Sequence, residues 1–173
     1  DLEITGLTYE GCGIGKYDGM VVFVPFSAVG DKLKTRIVKA NKSHCYGKIE
    51  EITCPSADRI TPDCDVFGKC GGCDFRHISY DAELRAKEQF IRDAFTRIGG
   101  LNPVFLPVTG NISENGYRNK AQYPVGKNDK GETLCGFFAG RSHRIIPCEK
   151  CRLESPVFAE IKSCILDLAK EYK

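Results

Sequence analysis

Tyr17-Asp18-Gly19-Met20-Val21-Val22-Phe23-Val24-Pro25-Phe26 is the stretch on which the fold turns. Asp-Gly is a tight-turn dipeptide, because glycine accepts backbone angles closed to most residues. The run behind it is β-branched and aromatic, and far too short to span a bilayer. Working outward, residues 2–9, 32–39 and 46–52 read as further strands. Between them lie Gly11-Cys12-Gly13-Ile14-Gly15, Gly30-Asp31 and Asn41-Lys42-Ser43. Short β-rich runs divided by turn residues at close intervals predict a small all-β unit over residues 1–55, a Greek-key barrel of OB type.

One of these strands alternates cleanly. Strand period sets Lys32, Lys34 and Arg36 on one face and Leu33, Thr35 and Ile37 on the other. Such a basic row is either the solvated outside of a barrel or a strip that follows a phosphate backbone.

Residues 56–173 read as an α+β second part, so the fold class is mainly β with an α+β continuation. A loop rich in Pro, Asp, Gly and Cys precedes a helix whose Tyr80, Leu84, Ile91, Ala94, Phe95 and Ile98 recur at helical spacing. Ser79 or Asp81 can cap it, and Gly99-Gly100 ends it. Tyr123-Pro124-Val125 and residues 134–138 flank a turn-rich segment, as in a long hairpin. Ser155-Pro156 opens a last helix with the stripe Val157, Ile161, Cys164, Ile165, Leu168 and Tyr172. That stripe still repeats at the last residues, and Asp1 stands where an initiator Met would, so a longer natural chain is expected.

Composition narrows the chemistry. The net charge is only +2, from 25 Lys and Arg against 23 Asp and Glu, so nucleic-acid binding has to rest on local patches. Ten cysteines are many for 173 residues, yet no signal-peptide pattern precedes them. The reading is a reducing cytoplasm and thiolate chemistry rather than a disulfide framework, with no membrane segment.

The cysteines are spaced to converge. Cys64-x5-Cys70-x2-Cys73 places three thiols within ten residues around Gly71-Gly72, and Cys148-x2-Cys151 offers a fourth ligand. Spacing leaves two sites open. Cys64, Cys70 and Cys73 with Cys148 or Cys151 would hold a [4Fe–4S] cluster. Cys70, Cys73, Cys148 and Cys151 would instead hold zinc. Either metal would close a long loop, worth on the order of 4 kcal/mol by chain entropy. Cys12, Cys45, Cys54, Cys135 and Cys164 have no partner at ligand spacing, and Cys164 is expected to pack on its helix face.

Several blocks together resemble the cluster-containing RNA uracil-5-methyltransferases, most closely the bacterial enzymes for 23S ribosomal RNA. Tyr9-Glu10-Gly11-Cys12-Gly13-Ile14-Gly15-Lys16, Val22-Phe23-Val24-Pro25 and Gly30-Asp31 resemble a TRAM domain, an OB-like RNA-binding module. The Cys64–Cys73 block with His77, Tyr80 and Lys87 resembles the family's cluster loop. Tyr117-Arg118-Asn119-Lys120 and the run Gly136–His143 resemble its central domain.

The resemblance implies two domains: a TRAM-like barrel at 1–55 and an iron–sulfur and RNA-binding domain at 56–173. It implies a [4Fe–4S] cluster on Cys64, Cys70, Cys73 and Cys151, since Cys151-Arg152-Leu153-Glu154-Ser155-Pro156 fits the fourth-ligand pattern better than Cys148. It implies an S-adenosylmethionine-dependent enzyme whose catalytic domain lies outside these residues, so no residue here is assigned a catalytic role. Agreeing with that, Gly99-Gly100-Leu101 follows a helix and is no nucleotide-binding fingerprint. The expected partner is RNA, specifically 23S ribosomal RNA, met by a monomer. The candidate contacts are Lys16, Lys34 and Arg36 on the barrel, Arg118, Lys120 and Gln122 alternating along one strand, and Arg141 and His143 beside the cysteines. Tyr117 and Tyr123 are candidates for base stacking.

Overall fold

The computed structural model describes residues 1–171. Tyr172, the last member of the expected helical stripe, lies outside the described residues. The contacts divide the described residues into two compact units, 1–62 with 74–110 and 63–73 with 111–171. This division differs from a single boundary near residue 55. The barrel keeps the first long helix, and the Cys64–Cys73 loop packs with the carboxy-terminal half.

In the first unit five strands close a barrel in the order β1-β2-β3-β5-β4. They are β1 (Leu2–Leu7), β2 (Cys12–Tyr17), β3 (Met20–Pro25), β4 (Lys32–Ala40) and β5 (His44–Cys54). β3 and β5 run parallel, the other neighbours antiparallel, and β4 returns to β1. This is the OB-like Greek key that the turn spacing predicts. Leu2, Ile4, Val22, Val24, Leu33 and Cys45 fill the interior. The strand β2 occupies what reads in the sequence as a glycine-rich connector. Gly13 and Gly15 are there for room: a Cβ on Gly13 would collide with Ser27, and one on Gly15 would lie 2.6 Å from the Glu3 carbonyl oxygen.

The helix α1 (Tyr80–Asp93) begins at the Ser79 cap, whose side chain accepts from the Ala82 N–H at 3.3 Å. It runs on as a π-helical turn, Ala94–Ile98, and stops at Gly99 and Gly100. Its docking edge is offset from the expected stripe. Ala82 is buried with Ala28 and Ile78, and Phe90 meets Phe75, whereas Ile91, Phe95 and Ile98 are exposed. The small Ala82 permits the close approach that a larger stripe residue would block.

Asp31 anchors the turn before β4. It is completely buried, and Arg59 grips it from two nitrogens, Nε to Oδ1 and Nη2 to Oδ2, both at 2.8 Å. The Ala28 and Ser56 backbone N–H groups donate to the same carboxylate at 2.6 and 2.9 Å. Burial pushes this carboxyl up, but Arg59 and the two backbone donors outweigh it and hold Asp31 below the usual carboxylate range.

In the second unit β6 (Val125–Lys127), β7 (Thr133–Phe138) and β8 (Ile145–Pro147) form an antiparallel sheet, followed by α2 (Pro156–Glu171). The expected hairpin and last helix are both present. Arg118, Lys120 and Gln122 do not sit on a strand. Among the described residues that segment makes one bridge, Arg118 to Glu154. The α2 stripe Val157, Ile161, Ile165 and Leu168 is about half exposed, and Cys164, expected to pack, is exposed too.

Asp31→Ala is expected to lower unfolding free energy by about 3–5 kcal/mol, because Arg59 loses its buried partner. Since the folded pKa is depressed, the stabilisation is complete above the unfolded carboxylate value and drains away as pH falls through the folded one. Urea denaturation between about pH 5 and about pH 2 checks this. Wild-type stability should fall more steeply than that of Asp31→Asn; parallel curves would refute it.

Candidate functional site

Four separated stretches of the second unit line one cavity of about 390 Å³, open mouth included. Cys64, Cys70 and Cys73 come from the loop after residue 63, and Cys148 and Cys151 from the segment between β8 and α2. Val66, Phe67, Phe137 and Leu153 give it carbon walls, and Arg118 is its charged lining residue.

The loop is shaped by its own backbone. Phe67 N–H donates to Cys64 O at 3.1 Å and Cys70 N–H to Val66 O at 2.9 Å, a helical-type turn that Gly68 closes with φ +76°. Gly71 is needed for proximity. It donates to Phe138 O at 2.9 Å, and a Cβ on it would lie 2.9 Å from both Cα and N of Gly140. The loop is thereby strapped to the end of β7. Arg152 ties its start to the other cysteine segment through Asp63, Nε to Oδ2 at 2.8 Å.

The second cysteine segment is held by Lys162 of α2. Its ammonium donates to Glu149 O at 2.8 Å and to Cys148 O, and stands 5.1 Å from the centre of the Tyr123 ring. Tyr123 donates to Glu154 Oε2 at 2.6 Å. Glu154 is buried, and its Oε1 has no hydrogen-bond partner among the described residues. Burial, the Glu154 bond and the charges of Glu154, Cys151 and Cys148 push the Tyr123 hydroxyl far up, so it stays a donor. The sequence carries no pattern that would announce the contacts of Lys162 or of Tyr123 with Glu154. They arise from tertiary packing alone.

Three of the thiols are not comfortable as anions. Burial pushes Cys70 and Cys151 up, and burial with the Cys151 charge pushes Cys148 up to about 11. The positive charge of Arg118 pulls Cys70 and Cys151 the other way. An all-sulfur, mutually repelling set is stable as thiolates only around added positive charge. Among the described residues no three His, Cys, Asp or Glu side chains are arranged to hold one metal ion. The five cysteines share a cavity without closing on a point.

The expected RNA contacts are dispersed. Lys34 pairs with Glu51 at 2.6 Å and Arg36 with Glu50 at 3.3 Å, all exposed. Lys16 is exposed at the end of β2. Lys120 and Gln122 are exposed, but Arg118 is half-buried against the cysteines. Arg141 and His143 are exposed on the turn between β7 and β8, where Arg141 takes φ +56° and His143 meets the Phe138 ring edge-on at 5.3 Å.

A TRAM domain model matches residues 1–50, the barrel strands. Along 99% of its length the chain is 39% identical to a protein named uncharacterized RNA methyltransferase from Clostridium tetani, covering 36% of that protein. A similarly named protein of Halalkalibacterium halodurans is 37% identical over 99% of this chain and 37% of its own length. Residues 1–50 thus match a TRAM domain, and nearly the whole chain is similar to part of proteins named RNA methyltransferases. The chain spans little more than a third of the length of these relatives. The crystal structure of Pyrococcus abyssi tRNA (uracil-54, C5)-methyltransferase in complex with S-adenosyl-L-homocysteine has the same fold across 99% of this chain and 37% of that one, with TM-score 0.65 and 21% identity. No helix among the described residues is long and apolar enough to cross a membrane.

Tyr123→Phe should cost about 1–3 kcal/mol of stability, because Glu154 would then have neither oxygen satisfied inside the fold. Combining it with Glu154→Gln should recover part of that loss by removing the buried charge. A double-mutant cycle in denaturant checks this, and additive losses would show that the two groups do not interact.

Proposed function

We propose that this chain is the RNA-holding, iron–sulfur portion of an S-adenosylmethionine-dependent RNA uracil-5-methyltransferase, with 23S ribosomal RNA as its substrate. The observation that carries this reading is the convergence of five cysteines from two distant segments on one apolar-walled cavity. The donor set is all sulfur, which suits iron–sulfur or zinc. Cys64, Cys70, Cys73 and Cys151 would hold a [4Fe–4S] cluster, with Cys148 a fifth thiol beside it. When bound, the cluster supplies a rigid cross-link between the loop and the segment before α2.

The TRAM match and the RNA methyltransferase relatives support RNA as the partner. The uracil 5-carbon is supported by the motif resemblance of the cysteine loop and by the shared fold of a tRNA uracil methyltransferase. A base stacked in folded RNA has to be flipped out before its 5-carbon is reached. Lys16, Lys120, Gln122, Arg141 and His143 are proposed to hold the remodelled strand by its phosphates and base edges, with Lys34 and Arg36 secondary because Glu51 and Glu50 pair with them. Arg118 is proposed to serve the cysteine cavity instead. Methyl transfer belongs to the whole protein, and S-adenosylmethionine is its proposed donor.

The test is anaerobic purification of this chain, with a visible spectrum and iron, sulfide and zinc analysis. Iron and acid-labile sulfide should be equal, with broad charge-transfer absorbance. Cys64→Ala, Cys70→Ala, Cys73→Ala and Cys151→Ala should each lose the chromophore, and Cys148→Ala should keep it. A colourless protein with one zinc would instead move the ligands to Cys70, Cys73, Cys148 and Cys151, and the role to a zinc-stabilised RNA- or protein-binding adaptor.

A further inference from the structure

Three rings stand together on the outside of the barrel. Phe23 on β3 lies 5.6 Å from both His44 and Tyr46 on β5, and His44 lies 5.3 Å from Tyr46. All three are partly exposed while the residues alternating with them, Val22, Val24 and Cys45, fill the core. The register lays them in rows across the sheet. Lys39, Tyr46, Phe23 and Ile14 are successive partners over β4, β5, β3 and β2. The next row holds His44, Val21 and Lys16.

His44 is fixed in place. Asn41 Nδ2 donates to its Nε2 at 2.9 Å, which leaves the proton on Nδ1, 3.0 Å from Ser43 Oγ. The turn that supplies these two anchors also carries the exposed Lys42. Lys48 follows Tyr46 by two residues and so shares its face. Lys16, Lys39, Lys42 and Lys48 form no ion pair among the described residues, whereas Lys34 and Arg36 are neutralised by Glu51 and Glu50.

We propose that Phe23, His44 and Tyr46, ringed by Lys16, Lys39, Lys42 and Lys48, form the single-stranded RNA platform of the barrel. This deepens the RNA-binding reading and rests on it. Single strands are held by ring faces that accept any base and by cations that follow the phosphates. Both occur here on one surface. Cross-strand aromatic packing would explain the rings by itself, but not a border of unpaired lysines. The basic row Lys34 and Arg36 that the sequence offers is a lesser contact, because each of its charges is already answered by a carboxylate.

The experiment measures binding of a fluorescent oligouridine, about twelve nucleotides long, to the whole chain across a salt series. Phe23→Leu and Tyr46→Leu keep apolar bulk for packing and remove the stacking face, and thermal melts confirm that they fold. Each should weaken binding at least about fivefold. Lys39→Ala and Lys48→Ala should each lower the slope of log affinity against log salt by about 0.7. Lys34→Ala and Arg36→Ala should change affinity less than about twofold. If Lys34→Ala and Arg36→Ala weaken binding and the ring variants do not, the platform is wrong while RNA binding stands. Preference for a duplex of the same length would overturn the platform as well. If the wild-type chain binds neither, the RNA-binding reading fails with it.

Discussion

In both units, segments meet at distances that leave no room for a Cβ, and much of the rest follows from where this happens. In the barrel, β2 can lie against β1 and the Ser27 turn only because Gly13 and Gly15 present bare backbone. In the second unit, Gly71 meets Gly140, and Gly136 of β7 lies so close to β8 that a Cβ would strike Ile146 O. A strand interior glycine is a loss in propensity. Here it is repaid by sheet pairing and by strapping the cysteine loop to β7. A larger residue at Gly71 would push the loop off its strand and scatter Cys70 and Cys73 from the cavity that they share with Cys148 and Cys151.

The two units bury charge in opposite ways. Asp31 is sealed away with its compensation in place, two nitrogens of Arg59 and two backbone donors. A carboxylate so enclosed is finished chemically and serves as an anchor. The cysteine cavity is unfinished by the same standard. Cys70, Cys148 and Cys151 resist ionisation, and the cation lining the cavity, Arg118, is only half-buried. A cavity that collects potential anions without matching cations has the electrostatics of a binding site rather than of a core.

The legible parts of the sequence were those where period and turn chemistry act locally. Asp18-Gly19, the Ser79 cap, the Gly99-Gly100 stop and the Pro156 helix start all keep their expected places, while the alternation from Lys32 holds to Arg36 and fails at the exposed Ile37. Glycines misled where they serve proximity. Gly11–Gly15 looked like a connector, and most of it is β2. Helical stripes misled where bulk was taken for burial, since α1 docks through Ala82 and leaves Ile98 exposed. The cysteine spacing names all five cysteines that line the cavity, because ligand spacing is a local signal. Lys162, Tyr123 and Glu154, which support the segment between β8 and α2, carry no such signal.

Arg118 shows how a correct residue can be read for the wrong reason. Alternation with Lys120 and Gln122 argued for a shared basic face, which needs a strand. The single bridge to Glu154 replaces that strand, and it turns Arg118 toward the thiols while Lys120 and Gln122 stay in solvent. The basic patch thus divides into one cation that answers buried sulfur, Arg118, and one that stays exposed, Lys120. The barrel divides its charges by the same rule: Lys34 and Arg36 are spent on Glu51 and Glu50, while the lysines around Phe23 and Tyr46 are not. Whether a surface cation is available to RNA is decided by its nearest carboxylate or sulfur, a fact of pairing that no single-strand alternation contains.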